Sequence, residues 1–191
     1  MSSTERRLWL VRHGETEWSL SGKHTGVTDL PLTAHGREQA EALVPVLAQG
    51  HFTQVLTSPR QRARVTCDIA GFGDRAIVDA DLVEWDYGSY EGLTSLEIHA
   101  ERPDWSLWTD GCPDGESPGE IAARLDRLLA RVAKIEGDIA LFAHGHVLRA
   151  LALRYLGWPM PQGAQLGLDT ATLCKLGRAS GQPSIVTWNV R

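Results

Sequence analysis

Short apolar runs that end at polar or glycine residues recur along the chain, and such runs are typical of buried strands. The first run, Leu8–Arg12, leads directly into His13 and Gly14. Later runs predict strands at residues 54–57, 76–79 and 139–143, and edge strands at residues 172–176 and 185–188. Residues 13–32 contain glycines and a proline and predict a long loop, and a loop of that length is usually functional.

Helix signals fall between the predicted strands. Thr33 is a candidate N-cap for a helix from residue 34 to about 49, with a kink or early end at Pro45. Ser58, followed by a proline, predicts an N-cap for a helix to about residue 70. A capping box from Ser117 to Glu120 predicts a helix to about residue 134. Further helices are predicted at residues 94–101, 104–109 and 147–156.

The alternation of strands and helices predicts the fold class. It favours a three-layer α/β/α arrangement with a mostly parallel central sheet, because helices then cover both faces of the strands. The chain has 191 residues, of which 42% are hydrophobic, and we predict one domain over residues 1–191. Sheets of this kind bind ligands at the carboxyl ends of their strands.

Polar side chains follow each of the four predicted parallel strands and should meet at one edge of the sheet. They are Arg12 and His13 after the first strand, Arg60, Arg62 and Arg64 after the second, Glu84 after the third and His144 after the fourth. Arginine offers a planar fork of donors to an anion, and a neutral imidazole can attack or relay a proton. Histidines, arginines and one carboxylate together suit phosphoryl transfer through a covalent intermediate.

Charge and cysteine usage narrow the functional classes. The net charge of −5 disfavours a nucleic-acid or anionic-membrane surface. Cys67, Cys112 and Cys174 lack CxxC spacing and predict free thiols in a reducing compartment. The polar start predicts no signal peptide, and no apolar run approaches the ~20 residues of a membrane span. We therefore expect a cytoplasmic protein.

Four motifs, in this order along the chain, resemble the histidine phosphatase superfamily, which includes the cofactor-dependent phosphoglycerate mutases. Resemblance is greatest to its sedoheptulose-1,7-bisphosphatase and acid phosphatase branch, which shares the acidic Glu-Trp-acid-Tyr-Gly stretch, a Trp-x-x-Asp-Gly-Cys stretch from Trp108 to Cys112 and the Ala-His-Gly-His motif. The motifs are Leu10-Val11-Arg12-His13-Gly14-Glu15-Thr16-Glu17-Trp18, Thr57-Ser58-Pro59-Arg60-Gln61-Arg62-Ala63, Leu82-Val83-Glu84-Trp85-Asp86-Tyr87-Gly88-Ser89-Tyr90-Glu91-Gly92 and Phe142-Ala143-His144-Gly145-His146.

The resemblance implies a phosphoglycerate mutase-like fold and a role for each matching residue. His13 attacks phosphorus and becomes phosphohistidine, while Arg12, Arg62 and His144 surround the phosphoryl group. Glu84 protonates the leaving alkoxide and then takes a proton from water, which predicts an acid-shifted pH optimum. The resemblance implies no metal and no cofactor, because arginines neutralise the phosphoryl charge. Family position also suggests substrate contacts at Ser19, Thr25, Tyr87 and Arg149.

Other polar and aromatic residues have simpler interpretations. Arg60 and Arg64 are expected to face solvent, and His24 to line the mouth of the site. His144 and His146 form an HxH pair, but no further ligand at suitable spacing supports a zinc site. Loop-ordering acids are predicted at Glu15, Glu17, Asp86 and Glu91, and surface histidines at His35, His51 and His99. The aromatic residues that either wall the site or fill the core are Trp85, Tyr87, Tyr90, Trp105 and Trp108.

Three functions remain open at this point. The favoured one is a metal-independent phosphatase for small phosphorylated metabolites such as sugar phosphates and bisphosphates. A phosphoglycerate mutase is the alternative. Two departures from the mutases disfavour it: they carry Asn where this chain has Ser19, and they carry extra basic residues that hold the glycerate carboxylate in the segment where residues 94–117 of this chain have only Arg102. A non-catalytic module that binds phosphorylated ligands is the third. The final predicted strand at an edge permits a homodimer without requiring it.

Overall fold

A computed structural model describes residues 6–191 of the chain. The polar residues 1–5, on which the expectation of no signal peptide rests, lie outside the described residues. No helix between residues 6 and 191 is both long and apolar enough to cross a membrane. The six strands are β1 (Leu8–Arg12), β2 (Phe52–Thr57), β3 (Ala76–Val78), β4 (Asp138–Ala143), β5 (Leu173–Ala179) and β6 (Gln182–Val190).

The strands form one sheet in the order β3-β2-β4-β1-β5-β6. The pairs β1–β4, β2–β4 and β2–β3 are parallel, whereas β5 is antiparallel to both of its neighbours. The predicted edge position is confirmed for β6 and is wrong for β5, which lies between β1 and β6. An apolar run identifies a strand but does not identify its partners.

Helices lie between the strands much as the sequence predicts. They are α1 (Glu17–Ser21), α2 (Ala34–Ala42), α3 (Val44–Leu47), α4 (Gln61–Ile69), α5 (Ser95–Glu101), α6 (Leu107–Asp110), α7 (Pro118–Val132) and α8 (Gly145–Leu156). Short 3₁₀ segments occur at Gly73–Arg75, Ala80–Leu82, Gly88–Tyr90 and Met160–Gln165. The capping box at Ser117 is confirmed, because its hydroxyl accepts the N–H of Glu120 and the Glu120 carboxylate accepts the N–H of Ser117.

Three helix predictions need correction. Residues 13–32, predicted as a loop, contain the short helix α1. The Thr16 hydroxyl accepts the N–H of Ser19, and the Ser19 hydroxyl accepts the N–H of Thr16, which together cap the start of this helix. The helix predicted for residues 34–49 is divided into α2 and α3 at Leu43, next to the proline that signalled a break. Ser58 is not an N-cap, since α4 begins at Gln61 after Arg60. The side chain of Ser58 instead contacts His144.

Two hydrophobic cores cover the faces of the sheet. Alternate residues of β1 divide between them, with Leu8 and Leu10 on one side and Trp9 and Val11 on the other. Residues of α7 and α8 fill the first core, and residues of α3 and α4, together with Leu43 just after α2, fill the second. This arrangement confirms the three-layer α/β/α fold.

The turn after β1 depends on close contact between two glycines. A Cβ added at Gly14 would overlap the carbonyl oxygen of Gly36 in α2. The absence of a side chain at Gly14 therefore lets the backbone approach that of α2 closely. This backbone contact holds Gly14, the residue after His13, against α2.

The three cysteines are buried and free, as predicted. Burial raises the pKa of the Cys67, Cys112 and Cys174 thiols to about 12. These thiols are therefore protonated at neutral pH and poorly reactive.

Candidate active site

The carboxyl ends of β1 and β4 bring two histidines together. The β1–β4 register pairs Arg12 with Ala143, so His13 and His144 emerge side by side. Their ring centroids are 5.1 Å apart, and both side chains are buried. The predicted convergence of distant residues at this sheet edge is confirmed for the pair.

The hydrogen bond of His13 fixes where its proton lies. Nδ1 is 2.7 Å from the carbonyl oxygen of Gly14. Because a carbonyl only accepts, Nδ1 carries the proton and Nε2 keeps its lone pair. Burial, followed by the charges of Arg62 and Arg12, holds the pKa of His13 well below its ordinary value of 6.5. The ring is therefore neutral at physiological pH and has an unprotonated Nε2.

His144 has the opposite assignment. Arg62 donates from Nε to Nδ1 of His144 over 3.0 Å, and arginine only donates. The neutral ring therefore carries its proton on Nε2 and donates it to the hydroxyl of Ser58 over 2.8 Å. Burial and the charge of Arg62 lower the pKa of His144 well below its ordinary value.

Arg62 lies behind the site rather than in its open cavity. Its guanidinium donates to the carbonyl oxygens of Thr25, Gly26 and Thr28, at distances of 2.9–3.2 Å. These bonds tie the loop between α1 and α2 to α4. The side chain is fully buried, and its charge acts on His13 from inside the protein.

Arg12 lines the cavity beside His13. One Nη atom donates to the carbonyl oxygen of Leu168, whereas the buried Nε has no hydrogen-bond partner among residues 6–191.

Arg60 has a second buried Nε without a partner among the described residues, and its side chain is half-buried. The expectation that Arg60 and Arg64 face solvent is therefore confirmed for Arg64 and wrong for Arg60.

Three backbone N–H groups position the carboxylate of Glu84. Oε1 accepts from Trp85 at 2.9 Å and from Val147 at 2.8 Å, and Oε2 accepts from His146 at 3.0 Å. Two of these donors belong to the first turn of α8, directly after His144. The side chain of Glu84 also lines the cavity, beside Arg12 and His13.

Arg124 holds the segment that carries Glu84, a function that the sequence analysis missed. It donates to the carbonyl oxygens of Asp81 and Val83 at 2.8 Å and pairs with Glu116 at 2.7 Å. The hydrophobic pattern of α7 could have indicated this role, because Arg124 lies on the same helix face as Ile121 and Leu125, which point into the core.

We expect Arg124→Met to destabilise the protein by about 3 kcal/mol, because it leaves a partly buried carboxylate and two carbonyl groups without their donor. The free energy of unfolding in urea measures this loss. Arg127→Met is the matched control, since exposed Arg127 on the same helix makes one bond to Asp81. Its cost should stay below about 1 kcal/mol. Equal costs for the two variants would contradict the assignment.

The four predicted substrate contacts all line one cavity of about 240 Å³, together with Arg12, His13 and Glu84. These four are Ser19, Thr25, Tyr87 and Arg149. His24 lines the cavity as predicted. Lining residues that the sequence analysis did not propose are Gly22, Lys23, Ser95, Gly145, His146 and Leu168. Arg62 and His144 do not line this cavity.

Two of the four predicted contacts also stabilise the loop after β1. The hydroxyl of Ser19 donates to the carbonyl of Thr16 and accepts its N–H, so it caps α1. The carbonyl of Thr25 accepts from Arg62, and its hydroxyl donates to the carbonyl of Lys23. Both hydroxyls are thus engaged locally at the edge of the cavity.

The other two contacts lie on an aromatic wall. The Tyr87 hydroxyl is 2.6 Å from Nδ1 of His146. The guanidinium of Arg149 lies 4.7 Å from the Trp108 ring centroid and donates to the carbonyl oxygen of Gly163. Among the five aromatic residues singled out from the sequence, Tyr87 lines the cavity, and the others belong to the core.

The loop acids and surface histidines are mostly where the sequence places them. Glu91 accepts the N–H groups of Gly26 and Thr28, and Asp86 accepts that of Gly88. Glu15 accepts the hydroxyl of Thr33. The histidines at positions 35, 51 and 99 are exposed.

The HxH pair does not converge on one point. His144 contacts Arg62 and Ser58, whereas His146 contacts Tyr87. Within residues 6–191, no three His, Cys, Asp or Glu side chains cluster in a way that could hold a metal ion.

Four buried histidines make stability dependent on pH. Burial lowers the pKa of His13, His144 and His146 well below 6.5 and that of His24 to about 4. The unfolded chain therefore binds protons first, so stability is complete above about pH 6.5 and falls as the pH drops below it. Each histidine contributes up to about 1.4 kcal/mol per pH unit.

We expect the urea midpoint to fall steeply between about pH 7 and pH 5.5. His24→Asn should make this slope shallower, whereas His51→Asn, at an exposed position, should leave it unchanged. A midpoint that is constant or rises on acidification would contradict the neutral state of these rings.

Comparisons with known proteins agree with the geometry. The model of the histidine phosphatase superfamily (branch 1) matches residues 8–191. The chain is 40% identical over 177 residues to an acid phosphatase from Mycobacterium tuberculosis, covering 91% of this chain and 87% of that protein. It is 42% identical over 190 residues to sedoheptulose 1,7-bisphosphatase from Saccharomyces cerevisiae, covering 82% and 70% respectively.

A solved structure shares the fold of this chain. The product of an open reading frame from Mycobacterium tuberculosis superposes with a TM-score of 0.93 at 38% identity, covering 97% of each chain. Sequence, fold and the arrangement around His13 therefore agree, and the chain belongs to the histidine phosphatase superfamily.

Proposed function

We propose that this protein hydrolyses small phosphomonoesters, including sugar phosphates and bisphosphates, through a phosphohistidine at His13. The observation that carries the proposal is that His13 lines one cavity together with Arg12 and Glu84, with its Nε2 unprotonated. The similar proteins named acid phosphatase and sedoheptulose 1,7-bisphosphatase support the substrate class.

The first half-reaction transfers the phosphoryl group to the protein. Nε2 of His13 attacks phosphorus, and the bond from phosphorus to the ester oxygen breaks. The Nε–H of Arg12, which has no hydrogen-bond partner among the described residues, supplies a donor for a phosphoryl oxygen. The buried charge of Arg62 neutralises the negative charge that develops. Glu84 gives a proton from Oε2 to the departing alkoxide, which would otherwise be a poor leaving group.

The second half-reaction returns the site to its starting state. Water attacks the phosphorus of phosphohistidine while Glu84 accepts its proton. The bond from phosphorus to nitrogen breaks, and inorganic phosphate leaves. In this proposal arginine charge, rather than a metal ion, neutralises the phosphoryl oxygens.

Cavity size favours small substrates. A volume of about 240 Å³ is below the roughly 300–1,000 Å³ of most drug-sized ligand sites. One phosphoryl group and a short polyol chain suit such a space, with exposed Lys23 and half-buried Arg149 available for a second anionic group.

Phosphate release in the presence of a chelator tests the proposal. The substrate panel is sedoheptulose and fructose bisphosphates, other sugar phosphates, p-nitrophenyl phosphate, and 3-phosphoglycerate with and without 2,3-bisphosphoglycerate. We expect release that persists in chelator. Conversion of 3-phosphoglycerate to 2-phosphoglycerate without free phosphate would favour the mutase, and phosphate binding without turnover would favour the binding module.

A further inference from the structure

One wall of the cavity contains a hydrogen-bonded pair that the proposed chemistry does not use. The Tyr87 hydroxyl is 2.6 Å from Nδ1 of His146. The Tyr87 ring stacks on His24 with centroids 4.7 Å apart, and the His146 ring lies 5.6 Å from that of Trp108. Packing against these two neighbouring rings restricts the orientation of the pair.

The chemistry of the pair assigns its protons. Burial raises the pKa of Tyr87 well above 10, and burial followed by the charge of Arg149 lowers the pKa of His146. Both side chains are thus neutral. A phenol is the stronger acid of the two, and an imidazole nitrogen is the stronger acceptor, so Tyr87 donates to Nδ1. His146 consequently carries its own proton on Nε2.

That N–H is available to a ligand. Among the described residues, Nδ1 of His146 has a hydrogen-bond partner and Nε2 has none. His146 lines the cavity. The backbone N–H of His146 also donates to Oε2 of Glu84. His146 therefore lines the same cavity as the carboxylate that would protonate the leaving oxygen, and its backbone holds that carboxylate.

We propose that His146 is a specificity-determining residue that donates a hydrogen bond from Nε2 to a hydroxyl or carbonyl oxygen of the leaving group. Tyr87 is its positioning residue. This inference rests on the proposed phosphatase function and adds the class of leaving group, a polyol or sugar. A site built to donate to such an oxygen discriminates against leaving groups that lack one.

Two substrates of equal length test the inference. Fructose 1,6-bisphosphate carries acceptor oxygens along its chain, whereas hexane-1,6-diol bisphosphate carries none between its esters. His146→Leu should lower the ratio of their kcat/KM values, sugar over diol, by about 10-fold. His146→Gln places an amide N–H near the position of Nε2 and should recover most of the ratio. An equal loss on both substrates, or no recovery with glutamine, would overturn the inference.

The nitrogen chemical shifts of His146 provide a readout that is independent of turnover. In the wild type we expect a protonated Nε2 and an unprotonated Nδ1, and in Tyr87→Phe a mixed population. A protonated Nδ1 in the wild type would overturn the inference alone. If neither substrate releases phosphate in a reaction that depends on His13, the proposed function is overturned instead. This assignment of the substrate then falls with it.

Discussion

Replacing His13 with alanine is expected to abolish phosphate release, with kcat reduced by at least about 10⁴-fold. The substitution removes the proposed nucleophile, the unprotonated Nε2 of His13, whose Nδ1–H is held by the carbonyl oxygen of Gly14. Binding and charge stabilisation by Arg12 and Arg62 would remain, but no covalent route would be open. Steady-state phosphate release on the best substrate of the panel measures the effect.

A matched control separates loss of the nucleophile from general damage. His35→Ala changes an exposed histidine and should retain wild-type activity. His13→Ala should remain folded, as judged by a cooperative urea transition, because the side chain lines a cavity and its loss removes one hydrogen bond, to Gly14, and one ring contact, with His144. Activity above a few per cent of the wild type in folded His13→Ala would show that another residue attacks phosphorus.

The second large effect concerns Glu84. Glu84→Gln should slow release of an alkoxide leaving group by about 10²–10⁴-fold, because the variant cannot deliver a proton. The first step with p-nitrophenyl phosphate should be far less affected, since nitrophenolate leaves without protonation. Hydrolysis of phosphohistidine should also slow, because the same carboxylate accepts the proton of water.

Rapid mixing makes the two effects of Glu84→Gln visible together. With p-nitrophenyl phosphate the variant should show a burst of about one nitrophenolate per protein molecule, followed by slow turnover. Glu17→Gln changes an exposed carboxylate on α1 and is the control that should behave as wild type. An equal slowing of the first step for alkyl and nitrophenyl esters would contradict an acid role for Glu84.

Much of the site follows from local sequence because it depends on strand ends. Arg12, His13 and His144 lie where apolar runs stop, and a parallel sheet brings such points together regardless of chain separation. The capping box at Ser117 is similarly local, because all of its atoms belong to one helical turn. These features required no knowledge of the tertiary partners.

The features that were not predicted depend on distant partners. Ser58 has the sequence signature of an N-cap, yet its hydroxyl accepts from His144, 86 residues away. The carbonyl of Leu168 accepts from Arg12, and any residue type could supply a carbonyl. The position of β5 inside the sheet follows from its pairing with β1, which an apolar pattern does not encode.

The most direct test of the account is to trap the phosphorylated protein. Wild-type protein is mixed with radiolabelled substrate, quenched in alkali within milliseconds, digested and analysed by mass spectrometry. We predict label that is stable to base, labile to acid and located on His13, with about one phosphoryl group per molecule accumulating when Glu84→Gln is mixed with labelled p-nitrophenyl phosphate. Substrate turnover with no labelled protein, or with label on another residue, would contradict a phosphohistidine mechanism.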